Sequence, residues 1–141
     1  MLRAEHHQIR ESVREFVERE IVPIADELDN ADKEIPLPII RKMAELGYFG
    51  LIFPPEYGGM GLSQYSYTKA ISLVTSNDGS MTALLSAAQS IGVPVPLKLF
   101  GTDAQKKKYL PRCAAGEISA FALTEPRVGS DPARMLTTAV K

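Results

Sequence analysis

At 141 residues and 15.4 kDa, with 45% hydrophobic and 23% charged residues and a formal charge of -1, the chain has the composition of an ordinary globular domain, which excludes a disordered tail and a collagen-like fibre. A domain of this length buries roughly 68–70% of its unfolded surface, so an apolar core can hold it without staples. The single cysteine, Cys113, excludes an intramolecular disulfide and a cysteine-based metal site, as befits a reducing compartment.

Leu2, Ile9, Val13, Phe16, Val17 and Ile21 recur at helical spacing, which predicts one amphipathic helix from near the start to about Val22, with Pro23 as its end or a kink. His6 and His7 are neighbours on that helix and diverge too far to close on one metal ion. An acidic connector, Asp26 to Glu34, leads to a second helix that Pro38 opens and Gly47 closes, with Ile39, Ile40, Met43 and Leu46 as its apolar stripe. The apolar run from Tyr48 to Phe53 stops at Pro54-Pro55, well short of the roughly 20 residues that cross a bilayer, so no membrane segment is expected.

Tyr57-Gly58-Gly59-Met60-Gly61 reads as a tight loop, its glycines too closely spaced for a dinucleotide fingerprint. Ser63 is placed to cap a helix over about Gln64 to Ser76 with Tyr67, Ile71 and Val74 inward. After the break Asn77-Asp78-Gly79-Ser80, another helix is predicted from Met81 to about Ile91. Its Leu84, Leu85, Ala87, Ala88, Ile91 and Gly92 form a surface of small and apolar residues, open to two readings: close helix packing, or the wall of an apolar cavity. Val93-Pro94-Val95-Pro96 interrupts it, and Gly101 stops the segment carrying Leu97, Leu99 and Phe100. Thr102 with Gln105 fits a capping box for a helix from Asp103 to about Tyr109, ending near Pro111.

Charge is uneven. Residues 1–34 hold ten acids against five bases, net -5, whereas 98–112 hold five bases against Asp103, net +4. A patch this small on a near-neutral chain does not make a nucleic-acid face, and Lys106, Lys107 and Lys108 read as a solvated helix surface.

From Ile118 to Thr124 the period changes. Ile118, Ala120, Ala122 and Thr124 alternate with Ser119, Phe121 and Leu123, as in a short strand. The predicted fold is therefore an all-α helical bundle over residues 1–117, followed at 118–141 by the first strand of a β-domain. Next comes Thr124-Glu125-Pro126-Arg127-Val128-Gly129-Ser130-Asp131-Pro132, kept irregular by two prolines and a glycine. Its hydroxyls and free backbone N–H groups form an array able to hold an anionic or heteroaromatic ligand, although a bland turn has the same composition.

The string itself is more specific. Phe121-Ala122-Leu123-Thr124-Glu125-Pro126, then Gly129-Ser130-Asp131 and Thr137-Thr138-Ala139, closely resembles the signature of the acyl-CoA dehydrogenase family. Pro54-Pro55-Glu56-Tyr57-Gly58-Gly59-Met60-Gly61-Leu62, Phe100-Gly101-Thr102, Gln105 to Pro111 and Gly116-Glu117 agree in order and spacing, so the resemblance covers essentially the whole chain.

The resemblance implies a flavoenzyme with an N-terminal helical domain, a middle β-domain and a C-terminal four-helix domain, with FAD at their junction and between subunits. It implies that Phe121, Ala122, Leu123, Thr124, Gly129 and Ser130 lie along the cofactor, with the Thr124 hydroxyl near flavin N5 and Ser130 touching both FAD and acyl-CoA. Ala88 and Gly92 would line the acyl pocket. Arg127-Val128 and Pro132 depart from the common pattern; Arg127 is within reach of a phosphate of FAD or CoA, or faces solvent in an ion pair.

The implied reaction removes the pro-R α-proton of an acyl-CoA to a carboxylate and a β-hydride to flavin N5, leaving a trans-2-enoyl-CoA. Glu125 is declined as that base, because in the family the base comes from the C-terminal helical domain, beyond Lys141. Residues 1–141 alone are thus expected to be inactive, about the first third of a larger enzyme; a purified 1–141 polypeptide with stoichiometric yellow flavin would refute this.

The expected partners of the whole enzyme are acyl-CoA, an electron-transferring flavoprotein as acceptor, and copies of itself in a homotetramer or homodimer. The missing basic, acid-poor leader points to a bacterial cytoplasm, or to the mitochondrial matrix of a eukaryote after processing. Two other readings stay open: a non-catalytic helical interaction module, and an acyl-CoA oxidase or flavin monooxygenase of the same architecture.

Overall fold

The computed structural model describes residues 4–140. Leu2 of the predicted stripe and Lys141 fall outside these residues, as do the side chains of His6 and Ile91. Helices dominate: α1 (Ala4–Phe16), α2 (Val22–Asn30), α3 (Leu37–Glu45), α4 (Gln64–Thr75), α5 (Gly79–Ser86), α6 (Pro94–Phe100) and α7 (Asp103–Ala114).

The first predicted helix does not stop at Pro23. A π-helical turn, Val17–Ile21, joins α1 to α2, and the Val22 N–H reaches back five residues to the Val17 carbonyl. Proline lacks the N–H for the i-4 carbonyl and its ring presses on that carbonyl; a widened turn just upstream removes the clash and lets the helix continue. Asp26 to Asn30, expected in the connector, are therefore helical, and the linker shrinks to residues 31–36.

The same device recurs. A π turn at Ala87–Ile91 closes with the Gly92 N–H on the Ala87 carbonyl at 2.8 Å; Gly92 is extended, so the helix breaks at Gly92–Val93 beside the expected interruption, and Pro94 opens α6. Pro111 likewise lies inside α7, which continues to Ala114 instead of ending there. Two caps fall where expected: Ser63 Oγ accepts from Ser66 N at 3.3 Å, and Thr102 and Gln105 make the reciprocal box; Asp78 Oδ1, accepting from Met81 N at 2.7 Å, caps a helix that starts at Gly79 rather than Met81.

α1 packs against α4, α4 against α5, and α6 against α7. Val13, Phe16, Val17 and Ile21 face Ile39 and Met43 of α3, Tyr67, Ala70 and Val74 of α4, and Met81, Leu85 and Ala88 of the α5 segment. Tyr48, Phe49 and Leu51 plug the middle. The Phe16 ring meets Tyr48 edge-on, centroids 5.5 Å apart at 83°, and the Tyr48 hydroxyl lies 3.1 Å from Ser12 Oγ. Burying each large side chain of this set is worth about 1.5–3 kcal/mol. Leu46 is a correction: it is 39% exposed, because it sits at the C-cap of α3, past the turn that faces the core.

The helical stretch Gly79–Phe100 is long and apolar enough to cross a membrane by length and composition. On it, Met81, Leu85 and Ala88 are buried in the core.

Residues 51–62 form a clamped loop. Met60 N donates to Gly50 O at 2.9 Å, Gly61 N to Phe53 O at 2.8 Å and Leu62 N to Leu51 O at 2.8 Å. Gly59 lies so close to this chain that a Cβ there would sit 2.2 Å from the Phe53 carbonyl oxygen. Ile118 to Thr124, expected as a strand, joins no ladder among the described residues, because a strand is completed only by a partner backbone.

Candidate functional site

Beyond α7 the chain runs over one flank of the helices. Ala120, Phe121 and Ala122 meet Gly92, Leu97 and Phe100 around an open, apolar groove of about 440 Å³. Phe100 is 86% exposed and Phe121 57% exposed, so the groove presents aromatic and aliphatic surface rather than covering it. Immediately downstream, Glu125 and Val128 exchange backbone hydrogen bonds of 3.1 and 3.0 Å, folding Pro126-Arg127 into a two-residue turn. Proline at the second position presets the backbone angle such a turn needs. Val128 is buried and seats the turn, leaving Thr124, Gly129 and Ser130 exposed.

Of the residues predicted from the sequence, Phe121, Ala122 and Gly92 share the groove, while Leu123, Thr124, Gly129 and Ser130 continue along the ribbon. A Cβ built at Gly129 meets nothing within 4 Å, so a ligand can approach the main chain there. Ala88 lies elsewhere: it is buried in the core on the π turn that packs against Tyr48–Gly50, which of the two readings of its helix is close packing at this position. Arg127 is exposed and makes no ion pair among the described residues.

An apolar groove together with exposed hydroxyls and an open main chain is the donor set that a planar heteroaromatic ring with a polar edge requires. The FAD expected here would be held by Phe121 and Ala122 of the groove and by the exposed hydroxyls of Thr124 and Ser130. A second cavity of about 440 Å³, between the end of α2 and the α4–α5 link, fits it poorly. Asp26, Asp29, Asp32 and Asp78 rim that cavity and would repel a phosphate-bearing ligand, whereas no carboxylate lines the groove.

Glu125 is not free to act as a base. Its Oε1 accepts from Leu136 N at 2.6 Å, and its Oε2 accepts from Thr137 N at 3.0 Å and Thr137 Oγ1 at 2.5 Å. The Thr137 hydroxyl first, and then the Leu136 N–H, hold its carboxyl below the usual carboxylate range, so it stays ionised at neutral pH with its oxygens occupied.

Sequence reasoning missed Gln89. It is fully buried in the second π turn, and its Nε2 donates to the Tyr48 carbonyl at 2.7 Å, tying the segment that leads into the groove to the core. Only its placement within the unexpected π turn marks it; a lone glutamine in an apolar helix carries no such signal.

The family model described as "Acyl-CoA dehydrogenase, N-terminal domain" matches residues 3–117. "Probable acyl-CoA dehydrogenase FadE10" of Mycobacterium tuberculosis is 54% identical over 126 residues, 84% of this chain and 19% of that protein. The butyryl-CoA dehydrogenase structure from Megasphaera elsdenii superposes with a TM-score of 0.84 at 30% identity, covering 94% of this chain and 35% of that one. An acyl-CoA dehydrogenase from Bacillus anthracis, complexed with FAD, superposes with a TM-score of 0.82 at 33% identity, covering 95% and 23%. The chain thus spans about a fifth to a third of the length of these proteins.

Proposed function

Because the chain belongs to the acyl-CoA dehydrogenase family, we propose that it is the N-terminal part of an FAD-dependent enzyme that dehydrogenates an acyl-CoA thioester to the trans-2-enoyl-CoA. One observation carries the reading: Phe121 and Ala122 line an open apolar groove, and Thr124, two residues further on, and Ser130 are exposed. FAD, when bound, supplies the oxidising power that no side chain has. The chain's own contribution is to seat and orient the ring through the Thr124 and Ser130 hydroxyls and the main chain at Gly129. Gly92 and Phe100 form the groove's other wall and offer apolar surface there.

Residues 118–141 are taken as the opening of the middle domain. The electron acceptor proposed is an electron-transferring flavoprotein, the assembly a homo-oligomer, and the compartment the bacterial cytoplasm.

The test is to purify the full-length protein, record its flavin absorbance, and follow enoyl-CoA formation across an acyl chain-length series with an electron-transferring flavoprotein or with oxygen as acceptor. Flavin with enoyl-CoA formed in the absence of oxygen is expected. Absence of flavin defeats the reading, and turnover with oxygen alone replaces it with an oxidase. Thr124→Ala and Ser130→Ala are each expected to weaken FAD retention about 2-fold to 10-fold, the worth of one hydrogen bond, as read by equilibrium dialysis.

A further inference from the structure

Glu125 has no role in the reaction as derived above, and Thr137-Thr138-Ala139 recurs in the sequence pattern without an assigned function. The structure joins the two. Glu125 is bonded on both sides: its backbone closes the turn with Val128, and its carboxylate gathers the Leu136 N–H, the Thr137 N–H and the Thr137 hydroxyl from eleven and twelve residues further on. The loop between these contacts contains Gly129, Ser130 and a short helical turn at Pro132–Arg134, and Thr124 is the residue immediately before the clamp. Apart from Val128 and Glu125 the loop is exposed, so no apolar burial sets its shape. The three bonds to a charged acceptor are the strongest interactions it has, since bonds to an ionised group exceed those between neutral partners.

We propose that Glu125 is a positioning residue: its carboxylate, through Leu136 and Thr137, fixes the loop that carries Thr124, Gly129 and Ser130 and so prearranges the donors that meet the cofactor. The proposal rests on the FAD reading above. A loop held before binding loses less conformational freedom when the ligand arrives, which is how a residue that touches no cofactor can set affinity for it. Glutamine at 125 keeps the size but replaces one acceptor oxygen with an NH₂ that faces the Thr137 N–H, donor against donor. Valine at 137 removes the hydroxyl and keeps the N–H, whereas serine keeps both.

The experiment uses the full-length flavoprotein with Glu125→Gln, Thr137→Val, the double variant, and Thr137→Ser. Three quantities are read for each: the FAD dissociation constant, the fine structure of the flavin absorption band, and hydrogen exchange at the Leu136 and Thr137 amides. The brace predicts that Glu125→Gln weakens FAD on the order of tenfold and blurs the band. It also predicts that Thr137→Val adds little on top of Glu125→Gln because the two share one contact, and that serine rescues the valine loss. Melting of the helical core at Phe16 and Tyr48 stays where it was. Unchanged FAD affinity and spectrum in Glu125→Gln would overturn the positioning role. If the unmutated protein holds no flavin, the FAD reading fails by itself; exchange at the two amides then still decides the brace, with acceleration in Glu125→Gln supporting it and no change refuting it.

Discussion

Replacing Gly59 with alanine is expected to destabilise the chain by about 3 kcal/mol or more, the largest effect of any single-methyl change in it. A Cβ at this position would lie 2.2 Å from the Phe53 carbonyl oxygen and 2.5 Å from both the Phe53 carbonyl carbon and Cβ. None of these atoms can turn aside as the end of a flexible side chain would. The backbone must move, and what holds it is the ladder of Met60 N to Gly50 O, Gly61 N to Phe53 O and Leu62 N to Leu51 O. Three hydrogen bonds at about 1 kcal/mol each set the scale. Phe53, whose carbonyl would be struck, is itself buried. Urea unfolding followed by circular dichroism should show the midpoint fall by about 1–3 M with an unchanged slope. A shift within error would mean that the loop yields freely.

Phe16→Ala is expected to cost about 3–5 kcal/mol, the usual range for emptying an aromatic site in a packed core. Phe16 is 1% exposed, and its ring abuts Tyr48, whose carbonyl in turn takes the Gln89 bond. The cavity therefore opens where α1, the Tyr48–Gly50 turn and the second π turn meet. Against a typical domain stability of about 5–15 kcal/mol, this loss leaves a substantial unfolded fraction at 37 °C. Phe16→Leu, which refills most of the volume, should recover more than half of it; equal losses for the two variants would contradict a cavity origin.

These two positions differ in how far the sequence discloses them. Phe16 belongs to a stripe at spacings of three and four, so periodicity alone places it inward, and the stripe is buried as read from Val13 to Ile21. Gly59 is legible as a loop glycine, but not as one pressed against Phe53, because that neighbour is chosen by the path of the loop. The capping residues Ser63 and Thr102 were legible for the same reason as the stripe: each acts on groups within three residues of itself.

The prolines show the opposite case. Pro23 read as an end or a kink, Pro94 as part of an interruption and Pro111 as a stop, and each lies in or at the start of a helix. Ile21 and Leu110, on the helices that run through Pro23 and Pro111, are buried, and at Pro23 a π turn just upstream relieves the ring clash.

The site divides along the same line. Thr124, Gly129 and Ser130 were picked out by a contiguous pattern, and so was the family to which the chain belongs. That Phe121 faces Phe100 across an open groove, that Ala88 turns into the core, and that Glu125 grips Leu136 and Thr137 was not contained in any run of residues. The sequence by itself determined what depends on near neighbours: helix stripes, caps, turn chemistry and the motif. Only the tertiary structure decided which residues distant in the chain share a surface, since a contact over eleven residues or more depends on the whole intervening path and leaves no periodic trace.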